Sequence, residues 1–183
     1  YSGSDNFTFT ASDGVSTSSA AMVSLTGSSV NDAPVLDNSG SPFLTAVSED
    51  ASDTSGDLVS FLIDEFLSDV DTGSSGGIAV TGVDNSNGTW QYATTGNNWT
   101  PFGSPSPTAA LLLASDSDTK VRFEPTADFT GTVSAGLTYR GWDQSDGTTE
   151  GNTAQISNVG SIMAYSSVVE TASIVVNAAN DAP

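Results

Sequence analysis

The chain has 183 residues, of which 22 are Asp or Glu and only 3 are Lys or Arg, so its formal net charge at pH 7 is −19. A charge of this sign excludes nucleic acid as a partner and disfavours anionic lipid surfaces, because both are themselves dense in negative charge. The sequence contains no Cys and no His, which removes disulfides, thiolate nucleophiles, Ser-His-Asp triads and ordinary zinc sites. Only hard oxygen ligands remain, and these favour Ca²⁺ or Mg²⁺.

The first predicted elements are two alternating strands followed by a proline stop. They lie in "YSGSDNFTFTASDG" (Tyr1–Gly14) and "AAMVSLTG" (Ala20–Gly27), and "VNDAP" follows. The same order returns in "FTGTVSAGLTYRGWDQSDG" (Phe129–Gly147), "ETASIVVNA" (Glu170–Ala178) and the closing "ANDAP". Because proline ends a strand and holds its neighbour extended, the N-D-A-P phrase is typical of the end of a repeat. We therefore predict the last two strands of one unit in residues 1–34 and one complete unit in residues 35–183.

The complete unit has the pattern of a mainly β domain. "GIAVTGVD" (Gly77–Asp84) and "TWQYAT" (Thr89–Thr94) flank the turn "NSNG", which predicts a hairpin. "KVRFEP", "TVSAGLTYRGW" and "TASIVVNA" supply further strands. In "DLVSFLIDEFL" (Asp57–Leu67) helical spacing separates apolar from acidic side chains, which predicts a short helix capping one end of a β-sandwich. "AALLLA" (Ala109–Ala114) is compatible with a buried strand or a helical turn.

Two long insertions interrupt this pattern. They are "TTGNNWTPFGSPSPTAA" and "EGNTAQISNVGSIMAYSS", and they carry Trp99, Phe102, Met163 and Tyr165. Long loops on a rigid scaffold are where binding residues usually lie, and a plain spacer has little use for them. The insertions therefore favour a binding module.

Four acidic phrases are candidates for metal binding: "SED" at Ser48–Asp50, "SDVDTG" at Ser68–Gly73, "WDQSDG" at Trp142–Gly147, and the repeated N-D-A-P. In a loop, Asp69 and Asp71 can direct two carboxylates at one ion. Calcium needs six to eight oxygens, so several phrases must converge, and the loops at one end of a sandwich do cluster. The alternative is that these residues form ordinary Asx turns and solvated loops.

A second candidate site lies in "YRGWDQSDG", where a cation, an aromatic ring and several acceptors fall close together. Arg140, Trp142 and Gln144 are its predicted ligand-binding residues. A carboxylate-bearing ligand such as a peptide C-terminus would be held by Arg140, or by a calcium ion with open coordination on Asp143 and Asp146. The alternative for Arg140 is a structural ion pair within the sheet.

The remaining aromatic side chains allow two interpretations. Trp90, Tyr92 and Trp99 are typical of core packing at alternating strand positions. Trp90 and Tyr92 share one face by strand period, so the alternative is a flat platform on which a sugar stacks.

Two classes of function are not expected. No apolar run approaches the ~20 residues of a membrane span, so we expect no membrane insertion. The acidic residues lie in Gly-rich turns without a hydrophobic pocket that would raise the pKa of one carboxyl, so we expect no enzyme, a glycosidase included.

The pattern Y-x-G-x-D-x-F-x-F-x-A-S-D-G, followed by a strand and V-N-D-A-P, resembles the cadherin-like tandem repeats of giant bacterial surface adhesins of the RTX type. Many of these adhesins are calcium-dependent and exported by type I secretion. The middle of the complete unit is similar to a longer variant of that repeat, of the style of peptide-binding or sugar-binding modules near an adhesin tip. The resemblance implies an Ig/cadherin-like β-sandwich with one short helix and long loop insertions, located outside the cell on the bacterial surface.

The resemblance also implies a set of calcium ligands at the junction between units. These are an acidic residue early in the unit, a pair in a mid-unit loop, and the linker: Glu49, Asp69, Asp71, Asn31 and Asp32. Asp13 of the preceding fragment would reach the same junction. The chain departs from animal cadherins, whose linker continues with another amide and whose mid-unit motif includes D-R-E.

Two functions therefore compete. The first is a calcium-dependent binding module that recognises a short peptide or a glycan on another cell, with Arg140, Trp142, Gln144, Trp99 and Tyr165 contacting the ligand. The second is an extender, in which calcium stiffens an array of neighbouring adhesin repeats and no ligand is bound. The two insertions place the binding module first.

Overall fold

The computed structural model describes residues 2–51, 54–71 and 73–180. The chain divides into two compact units, Tyr1–Asn31 and Asp32–Pro183, and the division falls inside the first N-D-A-P phrase. The second N-D-A-P phrase lies largely outside the described residues.

The first unit is an antiparallel hairpin of β1 (Gly3–Phe9) and β2 (Ala21–Gly27). The register places Phe7 opposite Val23, so that alternate residues of both strands form one apolar face. Phe7 and Phe9 are each 52% exposed. The turn beyond β1 is fixed by Asp13, whose Oδ1 accepts the backbone N–H groups of Val15 and Ser16 at 2.9 and 2.7 Å.

The second unit is mainly β, and the chain as a whole has 43% strand and 2% helix. Its elements in chain order are β3 (Val35–Leu36), β4 (Val47–Ser48), β5 (Asp57–Leu58), α1 (Ser60–Ile63), β6 (Leu67–Ser68), β7 (Gly77–Val83), β8 (Gly88–Ala93), β9 (Thr100–Pro101), β10 (Ala110–Ala114), β11 (Lys120–Pro125), β12 (Gly131–Trp142), β13 (Thr153–Ala154) and β14 (Glu170–Asn177). A six-stranded sheet has the order β13-β10-β7-β12-β14-β4, and a four-stranded sheet has the order β5-β11-β8-β9. β3 and β6 form a small separate pair.

The main core is built from the inward side chains of both sheets. Trp90 of β8 and Phe123 of β11 are fully buried, and their ring centroids are 5.0 Å apart. From the six-stranded sheet, Leu137 and Tyr139 of β12 are fully buried as well. An added Cβ at Gly136 would lie 2.3 Å from the Trp90 ring, so only glycine allows this close approach of strand and indole.

A smaller core covers the other face of the six-stranded sheet. Ala79, Leu112 and Trp142 are fully buried there, and Tyr165 of the second insertion packs with them. Since both faces of the sheet are covered, β7 carries consecutive buried residues instead of an alternating pattern. The second insertion therefore serves partly as a cover for this face.

One prediction of local structure is wrong, and a second is confirmed over a shorter range. β7 and β8 do not form a hairpin, because β7 lies between β10 and β12 in one sheet while β8 pairs with β11 and β9 in the other. The "NSNG" turn therefore carries the chain from one sheet to the next. The predicted helix is reduced to α1, since both of its ends are taken into strands β5 and β6, which pair with β11 and β3.

The ambiguous "AALLLA" segment is a strand. Its residues form β10, which pairs with β7 and β13, and every residue of β10 is buried.

Candidate functional site

A pocket lies at the end of the six-stranded sheet where β7 begins and β12 ends. Gly77 and Trp142 are paired there, so their neighbours Gly76 and Asp143 lie side by side. The pocket has a volume of 200 Å³ and is lined by Pro34, Leu67, Ser68, Asp69, Ser74, Ser75, Gly76 and Asp143. We call it the acidic pocket, because both of its charged lining residues are aspartates.

Asp69 contributes a buried carboxylate oxygen to the acidic pocket. Its Oδ1 accepts the backbone N–H of Asp71 at 2.8 Å, which closes an Asx turn directly after β6. Its Oδ2 is buried and has no hydrogen-bond partner among the described residues. Burying a carboxylate oxygen without a partner costs free energy. A cation or a hydrogen-bond donor bound at this atom would offset that cost.

Asp143 is the second carboxylate of the acidic pocket, and it is only 5% exposed. Its Oδ1 accepts the backbone N–H of Ser145 at 2.8 Å, and its own N–H donates to the Ala164 carbonyl. The next residue, Gln144, has a φ of 64°, and its side-chain amide donates to the Gly76 carbonyl at 2.9 Å. Gln144 therefore fixes the position of Gly76 in the wall of the pocket. Its contact with a ligand stays a prediction.

The start of the second unit is tied to the same loop. The backbone N–H of Asp32 donates to Oδ2 of Asp71 at 2.7 Å, and the N–H of Ala33 donates to the Ser161 carbonyl at 2.6 Å. Hydrogen bonds from backbone N–H groups thus link Asp32, Asp71 and Asp69 in sequence, but of these three predicted metal ligands only Asp69 lines the acidic pocket. Asn31 belongs to the first unit, and its role as a ligand stays a prediction.

Glu49 lies at the other end of the six-stranded sheet. Its backbone N–H donates to the Asn177 carbonyl, and its Oε1 accepts the N–H of Ala179 at 2.7 Å. That end of β14 pairs with the beginning of β12, whereas Asp143 follows the end of β12. The structure therefore does not bring Glu49 to the acidic pocket, and its role as a metal ligand elsewhere stays a prediction.

The acidic pocket fits calcium in its chemistry and provides part of a coordination sphere. It offers two carboxylates, serine hydroxyls and backbone carbonyls, all of them the hard oxygen donors that calcium prefers. Within residues 2–51, 54–71 and 73–180, no group of three or more acidic side chains is placed to hold a metal ion. An ion would therefore rely on neutral oxygens and water for the rest of its six to eight ligands.

The predicted ligand site around Trp142 is an internal network. Trp142 is fully buried and donates from Nε1 to Oδ1 of Asp146 at 3.1 Å. Tyr165 is 8% exposed and donates its hydroxyl to Oδ2 of Asp146 at 2.5 Å. Both rings pack in the smaller core that covers the sheet, and their contact with a ligand stays a prediction.

The ionisation of this network follows from its contacts. Burial raises the pKa of the Asp146 carboxyl, but hydrogen bonds from Tyr165, Trp142 and Thr148 outweigh it, and the pKa lies below its ordinary value. Burial, followed by the bond to Asp146, raises the pKa of the Tyr165 hydroxyl. Asp146 is thus a charged acceptor held by neutral donors, and its role as a calcium ligand stays a prediction.

Arg140 is a structural brace. Its Nη1 donates to the carbonyls of Ser166, Ser167 and Val168 at 3.0, 2.7 and 3.2 Å. These carbonyls precede β14, so the arginine fixes the end of the second insertion against β12. Within the described residues these bonds, and no ion pair, account for its position in the sheet, while its contact with a ligand stays a prediction.

The first insertion places Trp99 against Arg122. The guanidinium carbon lies 4.3 Å from the centre of the indole ring, in a cation–π contact. Trp99 is half-buried, and an added Cβ at Gly56 would meet its ring at 2.6 Å. Trp90 is in the core, which confirms the packing interpretation for this residue and excludes it from a sugar platform.

Sequence analysis missed several polar features. Ser74, Ser75 and Gly76 line the acidic pocket, although no pattern distinguishes them from an ordinary loop. Glu170 is 7% exposed, and its Oε2 is buried without a hydrogen-bond partner in the part of the chain described. Its position in the alternating β14 pattern would have indicated an inward acid, had the strand's pairing been known.

Comparison of the chain with protein-family models, with curated proteins and with solved structures finds no match. In the described residues no helix has the length and apolar character needed to cross a membrane.

Proposed function

We propose that the second unit is a calcium-dependent, Ig/cadherin-like β-sandwich module of a large bacterial surface adhesin. In this role the ion binds at the acidic pocket. The module is located outside the bacterial cell and binds a ligand on another cell. The observation that carries the proposal is the buried Oδ2 of Asp69, which has no hydrogen-bond partner within residues 2–51, 54–71 and 73–180, in a pocket that it shares with the buried Asp143.

The charge of the whole chain supports the calcium part of the proposal. A net charge of −19 opposes compaction through self-repulsion, and divalent cations relieve it most effectively where carboxylates already lie close together. Calcium tolerates irregular coordination, whereas magnesium demands a near-ideal octahedron, so a pocket of mixed carboxylate and neutral oxygens favours calcium.

An ion in the acidic pocket would join two loops of the second unit, and one of these loops is bonded to the start of the unit. Asp69 belongs to the loop between β6 and β7, and Asp143 to the loop after β12. Asp71 of the first loop accepts the backbone N–H of Asp32, at the start of the unit. Binding at this position would therefore stiffen the place where the chain enters the unit.

The same link supports the second candidate function, the extender. An ion that fixes the entry of the chain gives rigidity to a tandem array without any ligand. The binding module is favoured because the structure has other cavities, one of which is 310 Å³ in volume and lies between β4 and β5. Its lining includes Arg122 and the apolar residues Leu44, Val47 and Ile174.

The calcium proposal is tested by thermal unfolding of the whole chain in millimolar calcium and again in excess chelator. We expect calcium to raise the melting temperature of the wild type, since a ligand at a hundredfold excess over its Kd stabilises by about 2.7 kcal/mol. Asp69→Asn and Asp143→Asn should each remove most of this gain. Asp118→Asn, which changes an exposed acid outside the pocket, should retain it.

The chelator arm separates metal binding from ordinary structure. Asp69→Asn should not lower the melting temperature in chelator, because it keeps the Oδ1 acceptor for Asp71 and removes a charge whose Oδ2 is buried without a partner in the described part of the chain. Equal losses in both conditions would show that Asp69 is merely structural. An absence of any calcium effect on the wild type would overturn the proposal.

A further inference from the structure

A second pocket lies beside α1, away from the acidic side chains described above. Its volume is 380 Å³, its apolar walls come from Pro42, Phe43, Phe61 and Phe66, and its charged lining residues are Asp64 and Glu65. We call it the aromatic pocket. It combines exposed rings with negative charge, and neither feature is needed by the core.

Phe43 is held outward by backbone bonds at the edge of the six-stranded sheet. Ser173 of β14 donates to the Pro42 carbonyl at 3.0 Å and accepts from the Leu44 N–H at 2.8 Å. In this extended segment the side chains alternate, so Leu44 is 2% exposed and Phe43 is 69% exposed. The sheet therefore fixes the position of an exposed aromatic ring.

The other two rings are placed by α1 and by the chain after it. Leu62 and Ile63 of α1 are buried, whereas Phe61 on its outer side is 53% exposed. Phe66 packs against Gly40, where an added Cβ would lie 2.5 Å from its ring. Phe66 is partly buried and packs on the main core, so the rings line a pocket with a fixed base.

The side chains of Asp64 and Glu65 make no contact that would stabilise the described part of the fold. Asp64 and Glu65 are both exposed, and neither side chain has a hydrogen bond or ion pair within the residues described. They follow the last residue of α1, where the helix end favours positive charge over negative. Their placement therefore does not stabilise the helix, and it leaves two negative charges beside three rings.

The chemistry that fits this combination is a cation on an apolar stem. Aromatic faces attract an ammonium or guanidinium group, and the carboxylates neutralise it, while the methylene groups cover the rings. A second copy of this chain is a poor occupant, because it has only 3 basic residues and a net charge of −19. Arg140 is moreover committed to backbone carbonyls.

We propose that the aromatic pocket binds a lysine or arginine side chain presented by a partner polypeptide. This inference rests on the proposed function for the adhesive role of the unit, and it deepens that function by naming the chemistry of the ligand. The pocket does not include Asp69 or Asp143, so occupation by the cationic side chain does not require calcium at the acidic pocket.

The test uses blocked pentapeptides with one central residue between glycines, titrated into the full isotope-labelled chain and followed by amide chemical shifts. Lysine and arginine peptides should shift the amides of Phe43, Phe61 and Phe66. Norleucine and citrulline peptides, the neutral counterparts, should bind at least about fivefold more weakly. Equal affinity for charged and neutral peptides, or an absence of shifts at these amides, would overturn the inference.

Variants locate the binding. Phe61→Ala should weaken the cationic peptides about tenfold, while Phe7→Ala, which alters an equally exposed ring of the first unit, should leave them unchanged. Asp64→Asn with Glu65→Gln should weaken the cationic peptides towards the affinity of the neutral ones, because the rings remain but the two negative charges are gone. Asp118→Asn with Asp128→Asn removes the same charge from exposed positions outside the pocket and is the matched control.

Running each titration in calcium and in chelator separates the two proposals. Peptide binding without a calcium effect on the melting temperature would remove the calcium proposal and keep the aromatic pocket. Calcium stabilisation without peptide binding would remove only the aromatic pocket.

Discussion

The β1–β2 hairpin and the β12–β14 pair have the same sequence pattern but differ in how far their apolar side chains are buried. Both are antiparallel pairs of alternating strands. In the first pair Phe7 and Phe9 are each 52% exposed, whereas in the second Leu137 and Tyr139 are fully buried. The difference lies in what covers the apolar face. β12 and β14 face the rings of Trp90 and Phe123 in the other sheet, while β1 and β2 belong to a unit that has no further strand among its described residues.

This comparison shows which property an alternating pattern determines. The pattern sets strand pairing and gives each strand an apolar side, but the free energy of burial comes from the second layer. A lone two-stranded hairpin is at best marginally stable in water. The stability of the chain should therefore reside almost wholly in the second unit.

Hydrogen exchange should show the largest contrast between the two pairs. Amides in the centre of β12 should exchange only through global unfolding, which for domains of this kind costs about 5–15 kcal/mol. Amides of β1 and β2 should exchange through local opening, at least about a thousandfold faster. Equal protection in both pairs, measured residue by residue by NMR, would mean that the hairpin has a cover of its own.

Core truncation should give the next largest contrast. Leu137→Ala should lower the free energy of unfolding by about 2–5 kcal/mol, since it leaves a cavity between the sheets. Phe7→Ala should change it by less than about 1 kcal/mol. Urea unfolding followed by tryptophan fluorescence is the suitable measurement, because all 3 tryptophans lie in the second unit. A large effect of Phe7→Ala on that transition would contradict the comparison.

The Arg140 brace should have a smaller effect on the β12–β14 pair. Arg140→Met keeps an apolar stem and removes the bonds to the carbonyls ahead of β14, which should cost about 1.5–3 kcal/mol. Lys120→Met removes the same charge from β11 and is the control. Equal destabilisation by both variants in the urea assay would assign the effect to net charge instead of the brace.

The smallest expected difference is in how stability falls at acid pH when either of two aspartates with a lowered pKa is replaced. The folded-state pKa of Asp146 lies below its unfolded value, so its contribution to stability is present above that unfolded value and is lost as the pH falls through the folded one. Asp146→Asn should therefore flatten the acid limb of the stability curve. The pKa of Asp13 is lowered by its turn bonds to Ser16 and Val15 in the hairpin, and Asp13→Asn should leave the tryptophan-monitored acid limb unchanged.

The sequence predicted the elements better than their partners. Alternation identifies β12 and β14, whereas the apolar run at Ala109–Ala114 is compatible with two structures by sequence alone, and its pairing with β7 and β13 makes it a strand. The prediction of a hairpin at Gly77–Thr94 is wrong because a turn pattern indicates only that the chain reverses. It does not indicate which sheet the next strand joins. α1 is short because strand pairing at both of its ends outweighs the helical period.

The candidate site was predicted in part for a similar reason. Asp69 and Asp71 could be recognised from their spacing, but the approach of Asp143 depends on the pairing of Gly77 with Trp142, across a long stretch of sequence. The resemblance to cadherin-like repeats places Glu49 in the same set of calcium ligands. In the structure the length of the six-stranded sheet separates Glu49 from the acidic pocket. Trp142 has the residue type of a binding ring, and only the covering insertion shows that it is buried.

The order of strands in the six-stranded sheet also constrains how the second unit forms. β12 pairs with β7, which precedes it by a long stretch of chain, and with β14, which comes last. Such distant pairings slow folding, whereas a local hairpin like β1–β2 forms in about 1–10 µs. Because β14 fills the place between β12 and β4, the sheet stays open until residues 170–177 have been synthesised. The second unit should therefore acquire its structure after translation of its last strand, and not progressively as the chain emerges.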